Sequence, residues 1–153
     1  MTDKPAGARP PGARSVHEML AAARSRLTRV TADEAFTEAR AGAVLIDIRT
    51  AAQRAVGGEI PGSVVIERSH LEWRLDPESD ARLPWVTEYD LRPIVICAEG
   101  YTSSLAAAAL QELGFARATD VAGGYLAWQA AGLPTARPEE RTVVIAPGAS
   151  RAY

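Results

Sequence analysis

The chain has one cysteine, Cys97, and two histidines, His17 and His70, among its 153 residues. A lone thiol excludes an internal disulfide, and it excludes a dithiol redox cycle within one chain for want of a resolving partner. Nor do these residues make a cluster with zinc-ligand spacing, so neither a metal nor an organic cofactor is expected. Long apolar runs are missing too: the longest, Leu105 to Leu110, falls far short of the ~20 residues a membrane-spanning helix needs. Seventeen Lys and Arg against nineteen Asp and Glu leave a formal charge of −2. No broad positive field therefore exists to hold nucleic acid or an anionic membrane, and any anion site must be local. The first residues, MTDKPAGARPPGARS, lack the apolar stretch of a secretory signal, and the expected location is the cytoplasm.

What is present suits one domain, because 47% hydrophobic residues suffice to close a single core at this length. Residues 1–15 read as a disordered arm, broken by Pro5, Pro10 and Pro11. Val16, Met19, Leu20 and Ala23 then recur at helical spacing behind an Ser15 N-cap with Glu18 three residues on, which predicts a leading amphipathic helix within 16–28. Thr31 and Glu34 open a second helix that Gly42 ends. The runs AVLIDIR (43–49) and PIVICA (93–98) read as strands buried on both faces, Thr119 to Val121 as a short strand, and Tyr125 to Ala131 as a helix stopped by Gly132.

Strands alternating with helices predict an α/β domain over 29–134, with a central, mostly parallel sheet flanked by helices. In such sheets ligands gather at the carboxyl ends of the strands. Residues 67–91 are expected as a long irregular excursion with one helical turn. In the tail, 135–153, the run Thr142 to Ala146 is β-prone; it reads as an edge strand, an association element or part of a loosely ordered tail.

Cys97 stands at the end of the second strand, and the residues after it, AEGYT, are short or turn-tolerant and lead into a helix that begins near Thr102. Gly100 is free to take positive φ, so the loop can curl its N–H groups toward one point, where the first-turn amides of the helix also aim. Such a cradle stabilises a thiolate and any anion that replaces it. Glu99 opposes this, and its side chain is expected to face solvent. Taken alone, Cys97 reads as a small buried hydrophobe; the strand before it and the glycine-containing loop, two serines and helix after it shift the reading to an anion site.

Four segments in this order resemble the rhodanese family of sulfurtransferases. VLIDIRT (44–50) is similar to its first-strand D-x-R signature, and GGEIPGSVVI (57–66) to its G-H-I-P-G-A stretch, with Glu59 where histidine is usual. VICAEGYTSSLAAAAL (95–110) resembles the active-site loop and helix, and VAGGYLAWQAAGLP (121–134) the closing segment. The resemblance implies a rhodanese-like three-layer fold, Cys97 as nucleophile, and a substrate cradle of the amides of Ala98, Glu99, Gly100, Tyr101, Thr102 and Ser103. It further implies a persulfide formed from thiosulfate or another sulfur donor and passed to cyanide or a thiol.

Two departures bear on this. Thiosulfate-using members carry Arg or Lys within the loop, whereas here Ala98 and Glu99 hold those places and Thr102 sits sixth, so weak thiosulfate use or a protein persulfide donor is one outcome. A non-catalytic binding module is the other. Phosphatases of similar architecture have a loop one residue longer that ends in Arg, and Ser103 stands there in this chain.

Among other candidates, His70 is read as a surface residue rather than a catalytic base. Arg49, Arg54, Arg68 and Arg74 follow the first two strands, and Arg74, beside Trp73, is the candidate anion contact. Asp47 is read as a loop-fixing acceptor. Trp73, Trp85 and Trp128 are read as core or pocket wall.

Overall fold

The computed structural model describes residues 7–137. Helices begin where side-chain oxygens receive their first amides. Ser15 Oγ accepts the Glu18 N–H at the start of α1 (Val16–Arg24), and Thr31 with Glu34 forms a reciprocal box at the start of α2 (Ala32–Arg40). A cap of this kind contributes about 1 kcal/mol. α1 stops short of the expected span of 16–28, because Ser25 Oγ turns back onto the Ala22 carbonyl at 2.6 Å and the chain bends to pack Leu27 on the core. A third box, Thr50 with Gln53, opens α3 (Ala51–Gly57), none of whose residues is buried. With no apolar face to read, the pattern does not announce this helix.

The sheet holds β1 (Val44–Asp47), β2 (Val64–Val65), β3 (Pro93–Ile96) and β4 (Thr119–Asp120) in the order β2-β1-β3-β4, every neighbouring pair parallel. The expected strands are present but shorter. Alternation along them divides the core in two. Ile46, Val95 and Cys97 point to one face, where they meet Leu71, Leu75, Ala106, Leu110 and Phe115. Leu45, Ile94 and Ile96 point to the other, against Ala35, Tyr125 and Trp128. These partners come from α4 (Leu71–Leu75), α5 (Thr102–Leu113) and, with Phe115, the turn just after α5 on the first face, and from α2 and α6 (Gly124–Ala130) on the second. The period of two thus sends the Cys97 side chain toward α5.

Residues 67–91 are more helical than expected, with a 3-10 turn, Arg68–His70, running into α4 before the irregular stretch. Two of the three tryptophans depart from their expected place. Trp128 is core, but Trp73 and Trp85 are exposed at 53% and 42%. The inward side of α4 belongs to Leu71 and Leu75, and a residue two positions from each falls on the opposite side.

At the N-terminal end, residues 7–15 hold a turn in which Ala13 N–H donates to Pro10 O, and Arg9 pairs with Glu18. That guanidinium is the main reason the Glu18 carboxyl lies below its ordinary range. Ala136, beyond the expected domain end at Pro134, bridges antiparallel to Glu59. The run Thr142 to Ala146 lies outside the described residues. Among the described residues no helix is long and apolar enough to cross a membrane.

Candidate active site

β3 delivers Cys97 to the carboxyl edge of the sheet, where the residue is 4% exposed. Gly100 takes φ +88°, and its N–H donates to Cys97 Sγ at 3.2 Å. Ala98 is half-buried, while Glu99, Tyr101 and Thr102 are exposed and form the rim; Ser103 is buried. Glu99 faces solvent, as its charge beside a thiol requires.

Three carbonyls of the loop are held from outside. Cys97 O and Ala98 O accept the N–H groups of Tyr125 and Leu126 at 2.8 and 3.2 Å, so the first turn of α6 finds its acceptors in the loop. Gly100 O accepts from Arg24 Nη2 at 2.8 Å and Arg29 Nη2 at 2.9 Å. In a trans peptide the N–H points opposite to its carbonyl, so the amides of Ala98, Glu99 and Tyr101 are turned away from α6 and from the two arginines. Among the described residues those three N–H groups, and those of Thr102 and Ser103, have no acceptor in the protein. A row of unsatisfied donors at a helix N-terminus suits an anion.

The backing of the loop is a glycine pair. A Cβ on Gly124, at φ +57°, would stand 2.5 Å from Cys97 O, and one on Gly100 would stand 2.7 Å from Gly123 N. Backbone lies directly on backbone there, which only glycine permits.

Beneath the loop, Asp120 is fully buried and accepts from Ser103 Oγ at 2.7 Å, Ser104 Oγ at 2.8 Å and Arg29 Nε at 2.9 Å. Arg24 Nε donates to Ser104 Oγ at 3.0 Å. Asp120, Arg24 and Arg29 escape a reading of the sequence, since Arg29 and Asp120 are 91 residues apart and no short motif joins them.

The four arginines that follow the first two strands, Arg74 as candidate anion contact among them, have partners away from the loop. Arg49 Nη2 pairs with Asp47 at 2.8 Å, Arg54 with Glu59 at 3.0 Å, and Arg68 with Glu72 at 2.7 Å. Arg74 is buried, and its Nη1 donates to Ala81 O at 2.9 Å, tying α4 to the connection after it. Asp47 also accepts the Arg49 N–H, the loop-fixing role expected of it. The Arg49 guanidinium lies 3.8 Å from the Tyr125 ring centre, and Tyr125 Oη donates to Gly57 O at 2.6 Å. Burial is the main reason the Tyr125 hydroxyl titrates above its ordinary 10.0, with Arg49 opposing and Asp47 adding to the rise.

Comparison with known proteins agrees with this architecture. A sulfurtransferase of Allochromatium vinosum is 31% identical over 96 residues, 63% of this chain and 80% of the relative. A Rhodopseudomonas palustris protein of unknown function, described as a possible tyrosine phosphatase, superposes with a TM-score of 0.74 at 32% identity, covering 84% of this chain and 99% of its own. A rhodanese-related protein of Thermoplasma volcanium gives 0.53 at 29% identity, covering 69% and 94%. The rhodanese-like domain model matches residues 31–131, from the cap of α2 to the end of α6, and the chain belongs to that family.

Proposed function

We propose that this chain is a sulfurtransferase that carries sulfane sulfur on Cys97. The Cys97 thiolate attacks the outer sulfur of a donor; with thiosulfate, the sulfur–sulfur bond breaks and sulfite leaves with its electron pair. Cys97 then holds a persulfide until cyanide or a thiolate attacks the terminal sulfur and restores the thiolate. Each stage places an anion at the same spot, and fixed donors stabilise it without reorganising. The observation that carries this reading is the pairing of a lone thiol with five loop amides, Ala98, Glu99, Tyr101, Thr102 and Ser103, that lack acceptors among the described residues, beside the Gly100 N–H on Sγ. A cytoplasmic setting, where an unpaired cysteine stays reduced, is part of the proposal.

The exposed Glu99 and the absence of Arg or Lys from the loop favour a donor less charged than thiosulfate, such as a persulfide on another protein. The same features support a second reading, a non-catalytic module that uses the fold to bind a partner. A phosphatase, which the description of the R. palustris relative raises, is less well supported. Where that chemistry places Arg, this chain has Ser103, whose hydroxyl is committed to Asp120.

Mass spectrometry after exposure to thiosulfate, and separately to a low-molecular-weight persulfide, tests the proposal. One added sulfur on Cys97, absent from a folded Cys97→Ser variant, is expected. A folded wild-type protein that gains no sulfur from either donor would leave the binding module as the better account.

A further inference from the structure

We propose that Arg24 and Arg29 are positioning residues that aim the Gly100–Tyr101 peptide, so that the leading helix α1, outside the matched family segment, is part of the site. This rests on the reading of the Cys97 loop as an anion site. Both guanidiniums converge on one atom, Gly100 O, at 2.8 and 2.9 Å. Each is itself fixed: Arg29 forks onto both oxygens of Asp120 at 2.9 and 3.1 Å, and Arg24 is held through Ser104 Oγ, which donates to Asp120 in turn. The result is a closed ring of Gly100 O, Arg24, Ser104, Asp120 and Arg29.

Two consequences follow from the chemistry of a peptide. Pinning the carbonyl fixes the direction of the Tyr101 N–H on the opposite edge of the same plane, and that N–H has no acceptor among the described residues. Two cationic donors on the carbonyl also polarise the peptide and make the N–H a stronger donor. Two guanidiniums against one carboxylate leave the ring with an excess positive charge behind the loop. In a chain whose loop carries Glu99 and no Arg or Lys, the missing cation is supplied from behind and acts through the backbone.

Cys97 alkylation by iodoacetate and by iodoacetamide separates this from a general loss of structure. Both reagents consume the same thiolate, so the ratio of their rates reads only how well the loop receives a negative group. The ratio is expected to fall about threefold in R24Q or R29Q and about tenfold in the double variant, less than the loss of an outright donor because the amide is misdirected and not removed. The pair R24K/R29K keeps both charges without the planar fork, and its ratio should also fall severalfold. An unchanged ratio in folded R24Q/R29Q overturns the inference; a wild-type ratio in R24K/R29K overturns the aiming role and leaves only charge. If R29Q does not fold, R24Q and R24K decide alone. No sulfur transfer enters this measurement, so a wild-type protein that takes up no sulfur sinks the proposed function and leaves this result standing.

Discussion

The carboxyl edge of the sheet carries two arginine–carboxylate assemblies, each built on a fully buried acid, that differ in reach. At the end of β1, Arg49 and Asp47 are two residues apart, and both are almost wholly buried. Arg49 commits Nε and Nη2 to Asp47 and Gly58 O and lies against the Tyr125 ring, with its side chain 1% exposed. At the end of β4, Asp120 gathers Arg29, Ser103 and Ser104 from distant parts of the chain, and the assembly terminates on the carbonyl of a loop whose amides, apart from that of Gly100, have no acceptor among the described residues. A local pair acts as a strut. A long-range one shapes the surface it supports.

The sharpest test of that contrast removes each acid in turn. Asp47→Ala should cost about 3–5 kcal/mol in a denaturant titration, because Arg49 is left buried and uncompensated. Asp120→Ala should cost less, about 2 kcal/mol, since the Arg29 side chain is 22% exposed and can turn to water. Sulfur loading should reverse the order, falling at least tenfold in the folded Asp120 variant and little in the folded Asp47 variant. Equal losses of loading would erase the distinction.

A pair of glycines sharpens it next. Gly100 and Gly58 both have positive φ, +88° and +104°, so alanine at either is strained by about 1–3 kcal/mol. At Gly58 the nearest obstacle is the Tyr125 hydroxyl, the end of a side chain, whereas at Gly100 it is the backbone of Gly123. Gly100→Ala should therefore displace the loop and slow Cys97 alkylation, while Gly58→Ala should lower only the unfolding midpoint.

Tyr125 offers a pH test of the strut. Folding raises its pKa above the ordinary 10.0, so its contribution is complete below about pH 10 and is lost as pH rises through the folded value. Urea midpoints of the wild type should fall more steeply above pH 10 than those of Tyr125→Phe, which should itself be about 1 kcal/mol less stable at neutral pH for want of the bond to Gly57 O. Parallel curves would detach the tyrosine from that slope. The smallest effect is expected at Glu99, which is exposed. Glu99→Lys should lower the KM for thiosulfate about threefold with stability unchanged within about 0.5 kcal/mol, solvent screening limiting both; an equal or higher KM would show that loop charge does not limit thiosulfate use.

Much of the fold was open to a reading of the residues because its signals are local. Branched apolar runs marked β1 and β3, Thr31 with Glu34 marked the start of α2, and Gly132 marked the end of α6, where it takes φ +69°. α3 was hidden because it buries nothing, and Trp73 and Trp85 misled because apolar character alone does not say which side of α4 meets the core. Cys97, the loop and the solvent-facing Glu99 were legible from a strand, a glycine and a helix in succession.

Chain order alone determined that one thiol would close a buried strand in front of a helix N-terminus, since periodicity and turn chemistry operate over a few residues. Which cations would serve that loop was decided only when the chain folded: Arg24 and Arg29 became its neighbours because the packing of α1 on α5 brought them to Gly100, more than 70 residues away in sequence. Arg49, Arg54, Arg68 and Arg74 stood nearer to the expected site in the pattern, and folding gave them carboxylates and carbonyls of their own. A buried charge must find its partner in space, and distance in space is what the order of residues does not contain.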